Sequence, residues 1–215
     1  NVWLIATEKV HFRTWGVCIS PVKVQEDGAD IRIGASVINE DCGKGQAMLC
    51  IRITDPEGKV IKRDKMKVSA GPSEEVSVYK TLMLAGPLLW SVDSPSLYKA
   101  DIVLRKGKKI YDRMEVPFGI RTLSWNASEG FLLNGDPVKL NGGCIHHDNG
   151  LLGAAAIDRA EERKVELLKA NGFNAVRCAH NPPSEKFLEA CDRLGLMVID
   201  ESFDQLEEGV GGIFK

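Results

Sequence analysis

The 215 residues include 28 Lys and Arg against 30 Asp and Glu, with 44% hydrophobic and 27% charged positions, the make-up of a folded globular chain rather than a disordered or fibrous one. A net charge of -2 gives no reason to expect a nucleic-acid partner, which would need a clustered excess of cations. No apolar run approaches the ~18 residues of a bilayer-spanning helix, and the opening residues lack the basic-then-apolar layout of a signal peptide, so no membrane partner is expected either.

The charge is unevenly spread. Through Phe118 there are 18 Lys and Arg against 15 Asp and Glu, or +3; from Gly119 onward the remaining 10 face 15, or -5. The cysteines at 18, 42, 50, 144, 178 and 191 form no CxxC pair and no metal-ligand spacing. They read as buried or free thiols, with a Cys42–Cys50 disulfide as the lesser alternative, and unpaired thiols point to a reducing compartment.

Taken in chain order, Val2, Leu4 and Ala6 alternate as one strand with nothing before them to pair with. A strand's backbone groups require a neighbour, so residues 1–16 are expected to close an upstream domain. From about Val17 to Val116 the pattern has period two: Ile31, Ile33, Ala35 and Val37 alternate with Arg32, Gly34 and Ser36, and Val76 and Val78 alternate with Ser77 and Tyr79. Turn signals at Glu26-Asp27-Gly28, Asp55-Pro56-Glu57-Gly58 and Lys106-Gly107-Lys108 separate the runs. Short strands at this spacing predict an immunoglobulin-like β-sandwich over 17–118. The basic segment Lys59–Lys67 is read as its solvated face, and Asn126-Ala127-Ser128, although a glycosylation triplet, is given no role.

Beyond Phe118 strands and helices alternate. Val138–His146 is the first strand, and Asp158 is the expected N-cap of a helix, with Glu161 in a capping-box position and Gly172 as its stop. Asn174–Ala179 is a second strand. Pro182 and Pro183 lead into a helix over Ser184–Leu194 with an apolar stripe of Phe187, Leu188, Cys191 and Leu194, ended by Gly195. Leu196–Ile199 is nearly all apolar, as in a parallel strand covered on both faces. Repeated units of this kind build an open doubly wound sheet or a closed barrel. The polar clusters favour the first part of a (β/α)8 TIM barrel over 119–215, because each strand ends in groups suited to chemistry: His146-His147-Asp148, then Arg177 with His180-Asn181, then Asp200-Glu201.

Each cluster keeps a bland alternative. His146, His147 and Asp148 suit a sugar-binding edge or a plain loop better than a metal site, since no further ligand stands at a useful spacing. Arg177 lies between apolar residues and needs a carboxylate partner, structural or functional. His180 is followed by two prolines that stiffen the backbone around it. Asp200 and Glu201 could cap a helix or line a pocket.

These residues resemble a known family. Gly130-Phe131-Leu132-Leu133-Asn134-Gly135, then Val138-Lys139-Leu140-Asn141-Gly142 and His146-His147-Asp148, are similar to the entry into the catalytic barrel of glycoside hydrolase family 2, the β-galactosidase and β-glucuronidase group. So are Asn174-Ala175-Val176-Arg177-Cys178-Ala179-His180-Asn181-Pro182, Cys191-Asp192-Arg193-Leu194-Gly195 and Asp200-Glu201, while Pro87–Ser91 and Ser94–Tyr98 resemble that family's immunoglobulin-like domain. The resemblance implies a retaining β-glycosidase, a β-galactosidase first, acting on an oligosaccharide or glycoside, with residues 1–16 as the last strand of a jelly roll. It implies that Asp148, His180 and Asn181 bind substrate, and that Arg177 supports the nucleophilic carboxylate beside His146, His147, Asp200 and Glu201.

The resemblance further implies catalytic glutamates on the fourth and seventh barrel strands, one in a Trp-Ser-x-Gly-Asn-Glu-like segment that is missing here. The expectation is therefore a piece with no catalytic residue of its own, in which 119–215 is less well ordered than the sandwich or pairs with a second copy. Family magnesium ligands match Gln205 and Glu207 poorly, so no metal and no cofactor are expected. The competing reading is a carbohydrate-binding or adhesion module built on the sandwich, with Trp90 and Tyr98 as its aromatic candidates.

Overall fold

The computed structural model describes residues 4–25 and 27–201; Val2, Gln205 and Glu207 lie outside them. The chain divides into two compact units, one formed by the residues up to 89 and 96–121, the other by 90–95 and the residues from 122 onward.

The first unit contains seven strands: β1 (Val10–Gln25), β2 (Gly28–Asn39), β3 (Gly45–Thr54), β4 (Val60–Ala70), β5 (Glu74–Ala85), β6 (Leu97–Lys106) and β7 (Lys109–Gly119). They form two antiparallel sheets, β1-β2-β5 and β4-β3-β6-β7, the expected sandwich with its fourth strand paired to the third. The period-two pattern decides which side chains meet between them. Ile31, Ile33 and Val37 from one sheet and Ile51, Ile53, Ala100, Ile102 and Leu104 from the other are at most 2% exposed. Each buried Val, Leu or Ile contributes about 1.5–3 kcal/mol relative to exposure, and one continuous cluster joins both sheets.

The expected boundary at Val17 moves earlier. Val10, His11 and Phe12 already pair with Asn39, Ile38 and Val37, so these residues belong to the sandwich's first strand; the register slips between Phe12 and Val17, a bulge that hid the continuity from a period-two reading. The two aromatic residues considered for a sugar-binding face are also not on a surface. Tyr98 is 3% exposed and its hydroxyl accepts from the Leu88 N–H at 2.7 Å, and Trp90 is 2% exposed within the second unit.

The second unit opens with an antiparallel meander of β8 (Leu123–Asn126), β9 (Gly130–Leu133) and β10 (Asp136–Pro137), for which the residue pattern gave no signal. The Asn126 side-chain oxygen accepts from the N–H groups of Ser128 and Glu129, folding the turn between the first two. Next come β11 (Gly142–Ile145), α1 (Asp158–Ala170), β12 (Ala175–Cys178), α2 (Glu185–Leu194) and β13 (Met197–Asp200), with the three strands parallel in the order β11-β12-β13. Val165, Val176, Cys178, Phe187, Ala190, Cys191 and Leu196 bury the helices on one face of this sheet. Burial pushes the thiol of Cys178 up to about 11 and that of Cys191 higher still, so both stay protonated; all six cysteines are free.

α2 starts and stops as its sequence predicts: Ser184 accepts from the Phe187 N–H, and Gly195 turns left-handed at φ 77°. Gly195 serves a second purpose, because a Cβ there would lie 2.4 Å from the Val92 carbonyl oxygen. α1 starts differently. Ile157 takes the N-cap position with no side-chain cap, and Asp158 is the first helical residue. Glu161, freed from a capping box, is 6% exposed and accepts from Asn149 at 2.7 Å, Ser184 at 2.9 Å and Lys164 at 3.3 Å. The carboxylate thus ties the loop after β11 to the start of α2.

Burial works against the charge on Glu161, yet the hydrogen bonds from Asn149 and Ser184, with Lys164, hold it below the usual carboxylate range. Glu161→Gln is expected to destabilise the second unit by about 2–3 kcal/mol at neutral pH. Because the folded-state value is depressed, the contribution is complete above the unfolded value near ~4.3 and disappears as pH falls through the folded one. Urea unfolding of the two proteins should therefore differ at pH 7, and the difference should shrink as the pH falls below the usual carboxylate range.

Candidate functional site

Parallel pairing in register brings the C-terminal ends of β11, β12 and β13 together. Cys144 stands opposite Arg177 and Arg177 opposite Ile199, while Ile145, Cys178 and Asp200 form the next row. Alternation sends Val176 and Cys178 toward the helices, so Arg177 projects from the other face. Asp200 shares a row with Cys178, on the opposite side of the sheet from Arg177.

Arg177 finds the carboxylate its position demanded. Its Nε donates to Glu201 Oε1 at 2.6 Å and its Nη2 lies 2.5 Å from the same oxygen, while Nη1 donates to Cys144 Sγ at 3.3 Å. The other Glu201 oxygen accepts from the backbone N–H of His180 at 2.8 Å. That amide hydrogen bond, reinforced by the guanidinium, holds the Glu201 carboxyl below its usual range. One carboxylate therefore joins the middle of β12 to the residue just beyond its end.

His180 has φ 75°, a left-handed conformation that costs a non-glycine residue of order 1–3 kcal/mol and persists only where the surroundings impose it. Here Glu201 grips its N–H, and Pro182-Pro183 follow. The strained backbone places the His180 ring 5.3 Å from that of His146, centroid to centroid. The neighbouring His147 places Nε2 3.0 Å from the Pro182 carbonyl oxygen and so bridges the loops after β11 and β12. Asp148 and Asn181 are exposed at this same end.

The structure thus gathers His146, His147, Arg177, His180 and Glu201 into one connected group, with Asp148 and Asn181 beside it and Asp200 on the other face. Cys144 and the tie formed by Asn149, Glu161 and Ser184 were missed. Cys144 lay inside a run read only as a strand, and Glu161 carried a capping signature that masked its longer-range contacts. A cavity of about 20 Å³ behind the rim, lined by His146, His147, Glu161 and Cys178 among others, holds a water at most. No group of three or more His, Cys, Asp or Glu is placed to hold a metal ion among the described residues.

A model of glycosyl hydrolases family 2 matches residues 12–121, and that of the family's TIM barrel domain matches 127–208. The β-galactosidase BoGH2A of Bacteroides ovatus is 38% identical over 204 residues, spanning 95% of this chain and 24% of that protein. Among solved structures, a family 2 member from Bacteroides cellulosilyticus superposes with a TM-score of 0.89 at 43% identity, covering 97% of this chain and 29% of the other. A Bacteroides uniformis β-glucuronidase does so with 0.89 at 28%, covering 96% and 26%. The chain spans about a quarter of the length of the curated relatives it matches. The two family matches, which together span most of the described residues, lead to one conclusion: the chain belongs to glycosyl hydrolase family 2.

Proposed function

We propose that the chain is part of a retaining β-glycosidase that removes terminal β-linked sugars, a β-galactosidase, and that it supplies one wall of the sugar site. The observation that carries this reading is the Arg177–Glu201–His180 clamp at the C-terminal ends of three parallel strands, where barrel enzymes place their active sites. A pyranose offers ring hydroxyls that donate and accept. His180, Asn181 and Asp148 stand at the rim to meet them, while Arg177 supplies a fixed positive charge on the inner face. Such a charge stabilises an attacking carboxylate without donating a proton to it, because a guanidinium stays protonated.

Retaining hydrolysis needs two carboxyl groups about 5–5.5 Å apart, one attacking the anomeric carbon and one protonating the leaving oxygen. Glu201 is engaged by Arg177 and His180, and Asp200 faces away, so the catalytic pair is assigned to other barrel strands and the chain alone is expected to hydrolyse nothing. The galactoside preference follows the similarity to BoGH2A, although β-glucuronidases are also among the relatives. Assay of the full-length enzyme on aryl β-galactoside and aryl β-glucuronide, with NMR of the released sugar, tests this. Galactoside cleavage with retention is expected; a faster glucuronide would overturn the preference, and an inverted product the mechanism.

A further inference from the structure

The basic segment Lys59–Lys67, taken from sequence as a solvated face, is one side of a larger feature. On the outer face of β4-β3-β6-β7, a trough of about 760 Å³ is lined by Arg52, Arg63, Lys65, Arg105, Lys108 and Arg113 against two carboxylates, Asp64 and Asp101. Both carboxylates are already engaged. Asp101, 8% exposed, accepts from Arg52 and Arg113 at 2.6 Å each, and Asp64 pairs with Lys80, which does not line the trough. Arg63, Lys65, Arg105 and Lys108 have no ion-pair partner among the described residues, and all four are exposed, the first two on alternate positions of β4.

Sheet geometry sets their spacing. Arg63 and Lys65, two residues apart on β4, are about 7 Å apart along the strand, and β4 lies about 10 Å from β6 across β3. Cations thus flank a floor that includes Cys50, Val103 and the 55%-exposed Ile110. A second trough of about 350 Å³ shares Arg105 and adds Lys67 and Lys106, extending the basic strip along the sheet.

We propose that this strip binds an anionic polysaccharide, one bearing uronate or sulfate groups. The cations meet the charges while the aliphatic floor meets the C–H faces of the sugar rings. Single-stranded nucleic acid fits less well, because no aromatic side chain lines the trough to stack a base. An acidic peptide fits less well too: extended peptides dock by pairing with a free strand edge, whereas the trough lies over the face of the sheet, its centre at Cys50 and Val103 on β3 and β6, whose backbones are paired on both sides. The inference rests on the reading of the parent as a glycosidase, for which the strip would hold a charged polysaccharide that carries the neutral sugars to be cleaved.

The test is fluorescence anisotropy of the chain with a labelled oligogalacturonate, alongside neutral galactan, poly-glutamate and single-stranded DNA. Oligogalacturonate is expected to bind, to weaken steeply with salt, and to bind at least tenfold less well to Arg63→Glu/Arg105→Glu. It should change less than twofold with Lys23→Glu/Lys139→Glu, which alters net charge equally outside the strip. Unchanged melting of both variants shows that the fold is intact. No binding, equal loss in the control variant, or equal affinity for poly-glutamate, DNA or galactan would overturn the proposal. Assay of the full-length enzyme separates the two readings: binding without glycoside hydrolysis removes the glycosidase reading and leaves the site, and hydrolysis without binding does the reverse.

Discussion

Arg177→Met in the full-length enzyme is expected to lower kcat/KM by about 10²–10³-fold, with most of the loss in kcat. Two effects combine. A preorganised charge beside the reacting centre is worth about 2.7–4 kcal/mol where water is excluded, and methionine removes it while keeping much of the side chain's bulk. Glu201 also loses its guanidinium partner and retains the N–H of His180. Without the guanidinium, Glu201 is fixed less firmly and so is the His180 N–H that it holds at positive φ, and misplacing a contact by about 1 Å can itself cost about 10²-fold. The 215-residue chain offers a readout independent of activity, since the amide resonance of His180 should shift when its acceptor relaxes. An unmoved resonance together with a loss confined to KM would show that Arg177 only contributes to substrate binding.

Trp90→Ala is expected to cost the second unit about 3–5 kcal/mol, the range for emptying a buried aromatic site. In sequence Trp90 lies between β5 and β6 of the sandwich. In structure it is 2% exposed among second-unit residues, its indole N–H donates to the Asp192 carbonyl at 2.7 Å, and its own carbonyl accepts from Asn134 at 3.0 Å. Lys169 anchors the same segment by donating to the carbonyls of Val92 and Gly195 at 3.0 Å each. The variant should lose hydrogen-exchange protection in α2 and β13 first, while the amides of β2, β3 and β6 keep theirs. Earlier loss in the sandwich strands would place the tryptophan's contribution in the first unit.

Alternation and spacing make much of this protein legible from its residues alone. The inward set of β2, the capping of α2 by Ser184 and Gly195, and the parallel run from Met197 all follow from local rules, because a strand exposes every second residue and a helix must satisfy its end groups within one turn. The rim clusters were legible for the same reason: His147, Arg177 and Glu201 each lie at or just beyond the end of a strand, and the end of a strand is a local property.

Folding itself supplied the contacts between residues far apart in the chain. Nothing near Arg177 in sequence indicates that its partner is 24 residues away at Glu201, or that Cys144 lies under the same guanidinium. Glu161 had a sound local partner by rule and took three others instead, because Ile157 rather than Asp158 became the N-cap, which moved Glu161 out of the capping-box position. Trp90 is placed in one unit by sequence order and in the other by packing. The basic strip draws Arg63, Arg105 and Arg113 from three strands, and only hydrogen-bonded register could put them on one face. Local stereochemistry is written residue by residue, whereas partnership depends on which surfaces meet when apolar area leaves water, a property of the whole chain.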